Sequence, residues 1–197
     1  MNVNRLKMQI EFIVEMDKLK RVVRQTLLAD ASRQENSAEH SWHIAIMAFL
    51  LQEYAEVKPL DIFRVVKMLL IHDLVEIDAG DTYCYDVTAN QNKAEREQKA
   101  ADRLFNMLPP DQSEELHALW NEFESGVTPE SRYAAALDRL QPLLNNYITG
   151  GKMWQKHGVK KSQVISRNQR IEAGAPDLWK YALELIDDAV AGKMLSE

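Results

Sequence analysis

The sequence contains a single cysteine, Cys84, among its 197 residues. No intrachain disulfide can form, and a reducing, cytoplasmic setting is the expectation. Long apolar runs are also missing. No stretch comes near the roughly 20 residues that cross a bilayer, so no membrane partner is expected. The first residues mix Glu11, Glu15 and Asp17 with apolar positions and offer no small-residue cleavage site, unlike a signal peptide. Positive charge is in deficit: 30 Asp and Glu against 24 Lys and Arg leave a net charge of -6. Sequence-independent binding of a nucleic-acid polymer needs a cationic surface, so it is not expected here. A small anionic ligand needs only local positive charge and stays possible. No Gly-rich phosphate loop is present, which argues against ATP hydrolysis by that route. Gly and Pro number only seven and six, and they fall between long periodic segments. No run of alternating β-branched residues reads as a strand.

What is there is an ordinary globular mixture, 46% hydrophobic and 27% charged. It predicts an all-α fold: a compact, single-domain helical bundle over residues 1–197. A first helix is expected near Arg5–Lys20, followed by a mixed stretch to Glu35. Asn36 and Glu39 stand at capping-box spacing and start a second helix, running to about Ala55. Asp61 caps a third, Ile62 to about Ala79, so apolar on all sides that burial at the centre is expected. Gly80 ends it and opens a loop to about Asn90. A fourth helix spans Ala94–Met107. Asp111 and Glu114 cap a short fifth, and Thr128-Pro129 starts a sixth. The basic segment Lys152–Arg170 reads as partly loop, and a last helix covers Asp177–Ala191.

The third helix ends its apolar run with His72-Asp73. A carboxylate buried there needs compensation, because an unpaired one costs several kcal/mol, roughly, or is forced neutral. Either Asp73 caps or pairs with an arginine, or it joins His72 as a ligand to a cation. Two more segments carry ligand-type residues into apolar surroundings. His40 lies in the first turn of the second helix, and Asp138 interrupts the apolar sixth. Two imidazoles and two carboxylates suit one divalent Mn, Fe, Co, Ni or Zn, with Mg less natural. Such an ion makes water a nucleophile near neutral pH. His43, His117 and His157 offer no second ligand set. The bland alternatives are packing or a supporting hydrogen bond for His43, a surface position for His117 and a solvated basic loop for His157. The four Trp serve a core or a subunit contact, and Cys84 has no His nearby in sequence to activate it.

The ordered set His40, His72-Asp73, Asp138 resembles the signature of the HD-domain metal-dependent phosphohydrolases. The flanks extend the likeness: Arg33-x-Glu35-Asn36-x-x-Glu39-His40-Ser41, Leu70-Ile71-His72-Asp73-Leu74-Val75-Glu76, Ala79-Gly80-Asp81, Leu119-Trp120-x-Glu122-Phe123-Glu124 and Leu137-Asp138-Arg139-Leu140-Gln141-Pro142. These are similar to the branch containing the 5'-deoxynucleotidases and span about residues 18 to 158. The resemblance implies metal ligation by His40, His72, Asp73 and Asp138. It implies catalytic acids at Glu76 and Asp81, one activating water and one protonating the leaving oxygen, in an order that spacing does not decide. A solvated helix end is the plain alternative for Glu76. Arg33 is the first candidate for the substrate phosphate and Arg24 the second; Arg21 and Lys20 are weaker. The reaction implied is hydrolysis of (deoxy)nucleoside 5'-monophosphates to nucleoside and phosphate by a homodimer. Hydrolysis of nucleoside triphosphates or phosphodiesters remains open, as does a non-catalytic, metal-stabilised helical binding module.

Overall fold

The computed structural model describes residues 3–81 and 91–197. Cys84 and the expected loop from Thr82 to Asn90 lie outside the described residues. Helix α1 spans Val3–Met16 and runs into a 3-10 turn, Asp17–Arg21. The mixed stretch that follows is an antiparallel hairpin, β1 Val23–Leu27 and β2 Gln34–Asn36. This little sheet is a difference from the sequence reading. Its strands are five and three residues long, and Gln34-Glu35-Asn36 has no β-branched residue. Such strands are held by their neighbours rather than by propensity.

Helix α2 covers Ser37–Leu50. Asn36 accepts from the Glu39 amide while the Glu39 side chain accepts from the Asn36 amide, completing the capping box. Asp61 caps α3, Ile62–Ile71, through the Arg64 amide. The long third helix expected to Ala79 is broken. Residues His72–Val75 form a 3-10 turn, and α4 is only Glu76–Ala79. The Leu69 carbonyl accepts from the His72 side chain at 2.9 Å, and the chain tightens there. Nor is α3 buried all round: Phe63 and Leu70 are 70% and 47% exposed, while Val65, Met68 and Leu69 face the core.

Helix α5 is Lys93–Phe105 and α6 is Pro110–Ser125. The latter starts with Pro110 at its first turn and has no side-chain cap, so Asp111 and Glu114 are not its caps. Helix α7, Pro129–Ile148, begins at Thr128, which accepts from the Ser131 amide. The basic segment is largely helical: α8 Lys152–Lys156, α9 Lys161–Asn168 and α10 Arg170–Gly174, before the final α11 Pro176–Ala191. Helix α7 is central and packs against α2, α3, α6, α10 and α11. Its contact with α10 depends on Gly174, where a Cβ would stand 2.2 Å from the Arg132 carbonyl oxygen.

The described residues form two apolar clusters. The larger joins α2, α3, α7 and α11 through Ile44, Leu69, Tyr133, Leu137, Leu140 and Ile186. The smaller joins Leu74, Val75, Leu104, Phe105 and Trp120. His72 and Asp73 lie between Leu69 of the first and Leu74 of the second, so their turn is the seam between two cores. Trp120, Trp154 and Trp179 are core residues, but Trp42 is 63% exposed.

Candidate metal centre

Four elements converge at this seam. Helix α2 brings His40, the 3-10 turn brings His72 and Asp73, α4 starts with Glu76, and α7 brings Asp138. All five side chains are buried. Ligand-capable atoms of His40, His72 and Asp73 lie within 4.8 Å of one another. Asp138 Oδ1 stands 3.1 Å from His40 Nε2 and 3.6 Å from His72 Nε2. Asp73 Oδ1 is 3.0 Å from His72 Nε2.

The far nitrogens of the two rings are already engaged. His40 Nδ1 stands 2.9 Å from Gln141 Oε1, and His72 Nδ1 stands 2.9 Å from the Leu69 carbonyl. Both oxygens can only accept, so each Nδ1 is the protonated nitrogen. Both Nε2 atoms therefore point lone pairs, or a second proton, at the carboxylates. His72 Nε2 is buried and makes no hydrogen bond of acceptable geometry. A cation among two Nε2 atoms and two carboxylates resolves this arrangement, and the N,N,O,O donor set suits a divalent first-row metal. The residues present fit the group.

The carboxylates around the rings favour positive charge between them. Burial pulls the His72 imidazolium down, yet Asp73 and Asp138 outweigh it and hold its pKa well above the usual value. Burial opposes ionisation of Asp73, and His72 and Arg24 overcome that, keeping its pKa below the ordinary carboxylate range. Asp138 is likewise held low against burial, by Arg139, His40 and His72. Glu76 goes the other way. Burial, with Asp73 nearby, pushes its carboxyl up to about 8 despite Arg24. Burial raises Asp81 as well. Glu76 is not a solvated helix end: it accepts a 2.7 Å hydrogen bond from Ser37 Oγ.

The cluster opens into a cavity lined by His72, Asp73, Glu76, Asp81 and Asp138, and by Arg24, Lys93 and Arg139 among the cations. Arg24 reaches it from β1 and pairs with Asp73 Oδ2 at 2.6 Å. Both readings of the buried Asp73 thus meet in one residue, which has an arginine partner and a place in the ligand cluster. Arg33 is not among the lining residues. Its guanidinium grips Glu39 in two hydrogen bonds at the surface. Of the two arginines considered for phosphate, only Arg24 borders the cavity, because the hairpin turns β1 inward and leaves the start of β2 outside.

A backing layer carries residues to which spacing had assigned no role. Glu35 accepts from Thr26 Oγ1 at 3.2 Å and from Gln141 Nε2 at 2.7 Å. Gln141 then holds His40 and stands 3.2 Å from His43 Nδ1. Gln141 follows Asp138 by one helical step, the i, i+3 spacing that puts two side chains on one face, so its place was open to deduction. Glu35 had no such signal, because only the hairpin brings it under His40. His117 is half-buried, with its ring edge-on to Phe105 at 5.1 Å, and His157 is exposed. Among the described residues, the group around His40 is the one His/Cys/Asp/Glu cluster that could hold a metal ion.

Known proteins resemble this chain in sequence and, where solved, in fold. The human 5'-deoxynucleotidase HDDC2 is 29% identical over 136 residues, covering 68% of this chain and 65% of the human protein. The chain thus matches somewhat less than two thirds of that relative's length. The crystal structure of "Predicted metal-dependent phosphohydrolase" from Magnetospirillum magnetotacticum MS-1 is 56% identical, covers 98% of this chain and 97% of that one, and superposes with a TM-score of 0.94. A conserved hypothetical protein from Pyrococcus furiosus, 24% identical over 92% of this chain and 99% of its own, shares the fold with a TM-score of 0.61. The sequence profile of the HD domain matches residues 16–179, which carry every ligand-type residue of the buried cluster, and on that match the chain belongs to the HD domain family.

Proposed function

We propose that this chain is a metal-dependent phosphohydrolase that converts (deoxy)nucleoside 5'-monophosphates to nucleoside and phosphate. The observation that carries the reading is the buried His40, His72, Asp73 and Asp138 cluster at the floor of a cavity with arginines on its walls. The similarity to the Magnetospirillum phosphohydrolase and to the 5'-deoxynucleotidases supports the substrate class.

His40, His72, Asp73 and Asp138 would hold one divalent ion, of the Mn, Fe, Co, Ni, Zn or Mg group. When bound, that ion supplies Lewis acidity and a nucleophile from water. The remaining roles belong to the chain. Arg24, anchored on Asp73 at 2.6 Å and with Nε 4.0 Å from Glu35, turns its guanidinium toward the phosphoryl oxygens and offsets charge as it builds there. Glu76, held by Ser37, takes the proton of the attacking water. Asp81, raised by burial at the cavity edge, gives a proton to the departing 5'-oxygen. Arg33 takes no part, since Glu39 occupies it.

The protein would act as a homodimer in the cytoplasm. Val3, Leu6, Ile10, Ile13 and Val14 leave an aliphatic face of α1 exposed, which suits a second copy. Light scattering decides that part: a monomeric mass at micromolar concentration removes it. The activity is tested by phosphate release from ribo- and deoxynucleoside mono- and triphosphates, using metal-stripped protein resupplied with Mn, Co, Mg or Zn. Phosphate from monophosphates alone, dependent on metal, is the expected result. Pyrophosphate or tripolyphosphate from triphosphates would move the chain to another reaction of the family. Silence with every ion would favour the structural-metal reading.

A further inference from the structure

Behind the ligand cluster, a surface histidine completes a network that the hydrolytic mechanism does not use. His40 and Gln141 are both fully buried, and His43 is exposed, three residues along α2 from His40. His43 Nδ1 stands 3.2 Å from Gln141 Nε2. None of these three residues lines the cavity. His43 therefore meets neither substrate nor the reacting atoms, and whatever it does passes through Gln141.

Every polar position of the Gln141 amide is assigned. Oε1 stands 2.9 Å from His40 Nδ1 and accepts its proton. Nε2 donates one hydrogen to Glu35 Oε1 at 2.7 Å, and its second hydrogen faces His43 Nδ1. A carboxylate only accepts, so Glu35 fixes which end of the amide is NH2. His43 Nδ1 is then an acceptor, and the ring carries its proton on Nε2.

The opposite assignment has consequences at the metal centre. With a proton on His43 Nδ1, two donors face each other across 3.2 Å. Turning the Gln141 amide relieves that contact, but it sets Oε1 against the Glu35 carboxylate and NH2 against His40 Nδ1. His40 must then move its proton to Nε2, the nitrogen that stands 3.1 Å from Asp138 Oδ1 in the cluster. A protonated Nε2 has no lone pair for a metal. An acceptor at His43 thus favours the form of His40 that can ligate, and a donor there favours the form that cannot. An apolar group there leaves a Gln141 N–H buried without an acceptor, which is costly as well.

We propose that His43 is a positioning residue, whose Nδ1 lone pair acts through Gln141 to hold His40 in the tautomer that ligates through Nε2. The proposal rests on the metal-centre reading of the cluster and deepens it.

The test compares His43→Asn with His43→Leu in the full-length protein. Asn puts Oδ1 where Nδ1 stood and keeps an acceptor, whereas Leu keeps none. Each protein is stripped of metal and titrated with Co(II), read by the visible absorption of the bound ion and by chelator competition. His43→Leu is expected to weaken cobalt binding by roughly tenfold and to change the absorption spectrum. His43→Asn is expected to restore both the affinity and the wild-type spectrum. A Leu variant with wild-type affinity and spectrum overturns the proposal. So does an Asn variant as impaired as the Leu variant, because the acceptor is then not what matters. Urea unfolding of the metal-free proteins gives a further check: if Asn restores stability but not cobalt affinity, the role is structural and the proposal falls. Wild-type protein that takes up no cobalt overturns the metal centre and this inference together. Cobalt binding that follows the expected order without nucleotide hydrolysis upholds the inference and removes only the nucleotidase reading.

Discussion

The two sides of the ligand cluster are built differently. Behind it, every polar group that holds His40 is satisfied: Thr26 and Gln141 donate to Glu35, and Gln141 accepts from His40. In front, residues that line the cavity carry buried donors and acceptors without hydrogen-bond partners: His72 Nε2, Arg24 Nε, Arg139 Nε and Asn146 Oδ1. Both sides are buried, so solvation does not explain the contrast. A complete network in a low-dielectric interior fixes geometry, while an incomplete one is stable only if something else completes it. The back sets where the imidazoles point, and the front is left for ions and substrate.

Breaking the front at its metal ligands is expected to have the largest effect. His72→Ala removes one Nε2, and metal content and phosphate release should both fall to background, read by elemental analysis and a phosphate assay. The loss should exceed the roughly 10- to 100-fold typical of losing a residue that only supports a ligand. Glu76→Gln keeps the volume and the Ser37 contact but removes the base. Turnover is expected to drop by roughly 10² to 10⁴ with metal content unchanged, and unimpaired turnover would clear Glu76 of the role.

The back sharpens the comparison. Gln141→Leu leaves Glu35 and the His40 Nδ1 proton buried without this partner. Stability in urea should fall by about 1–3 kcal/mol, and metal affinity by roughly 10- to 100-fold. If metal affinity is untouched, the backing layer does not orient the ligand. Arg33→Ala is expected to do least. Its partner Glu39 is partly exposed, and exposed ion pairs contribute little, so kcat/KM should match wild type. A large rise in KM for nucleotides would return Arg33 to the phosphate.

Much of this was legible in the residues. The capping box at Asn36 and the cap at Asp61 depend only on neighbours three residues away, and both stand where spacing put them. The interruptions of apolar helices by His40, His72-Asp73 and Asp138 were visible because a buried charge has few explanations. The hairpin was not, since its short strands carry no β pattern and take their form from α2 and the turn before it. Nor was the break in the third helix, because a side-chain bond from His72 to the Leu69 carbonyl leaves no trace in periodicity.

By itself, then, the sequence determined the predominance of helix, the caps at Asn36 and Asp61 and the identity of the ligand-type residues, all of which depend on local propensity and on the cost of burying charge. The tertiary structure alone decided which arginine faces the cavity and that Glu35 lies beneath His40. It also decided that His43 meets Gln141. Those are contacts between residues far apart in the chain, and they exist only once α7 has packed against the hairpin, α2 and α9.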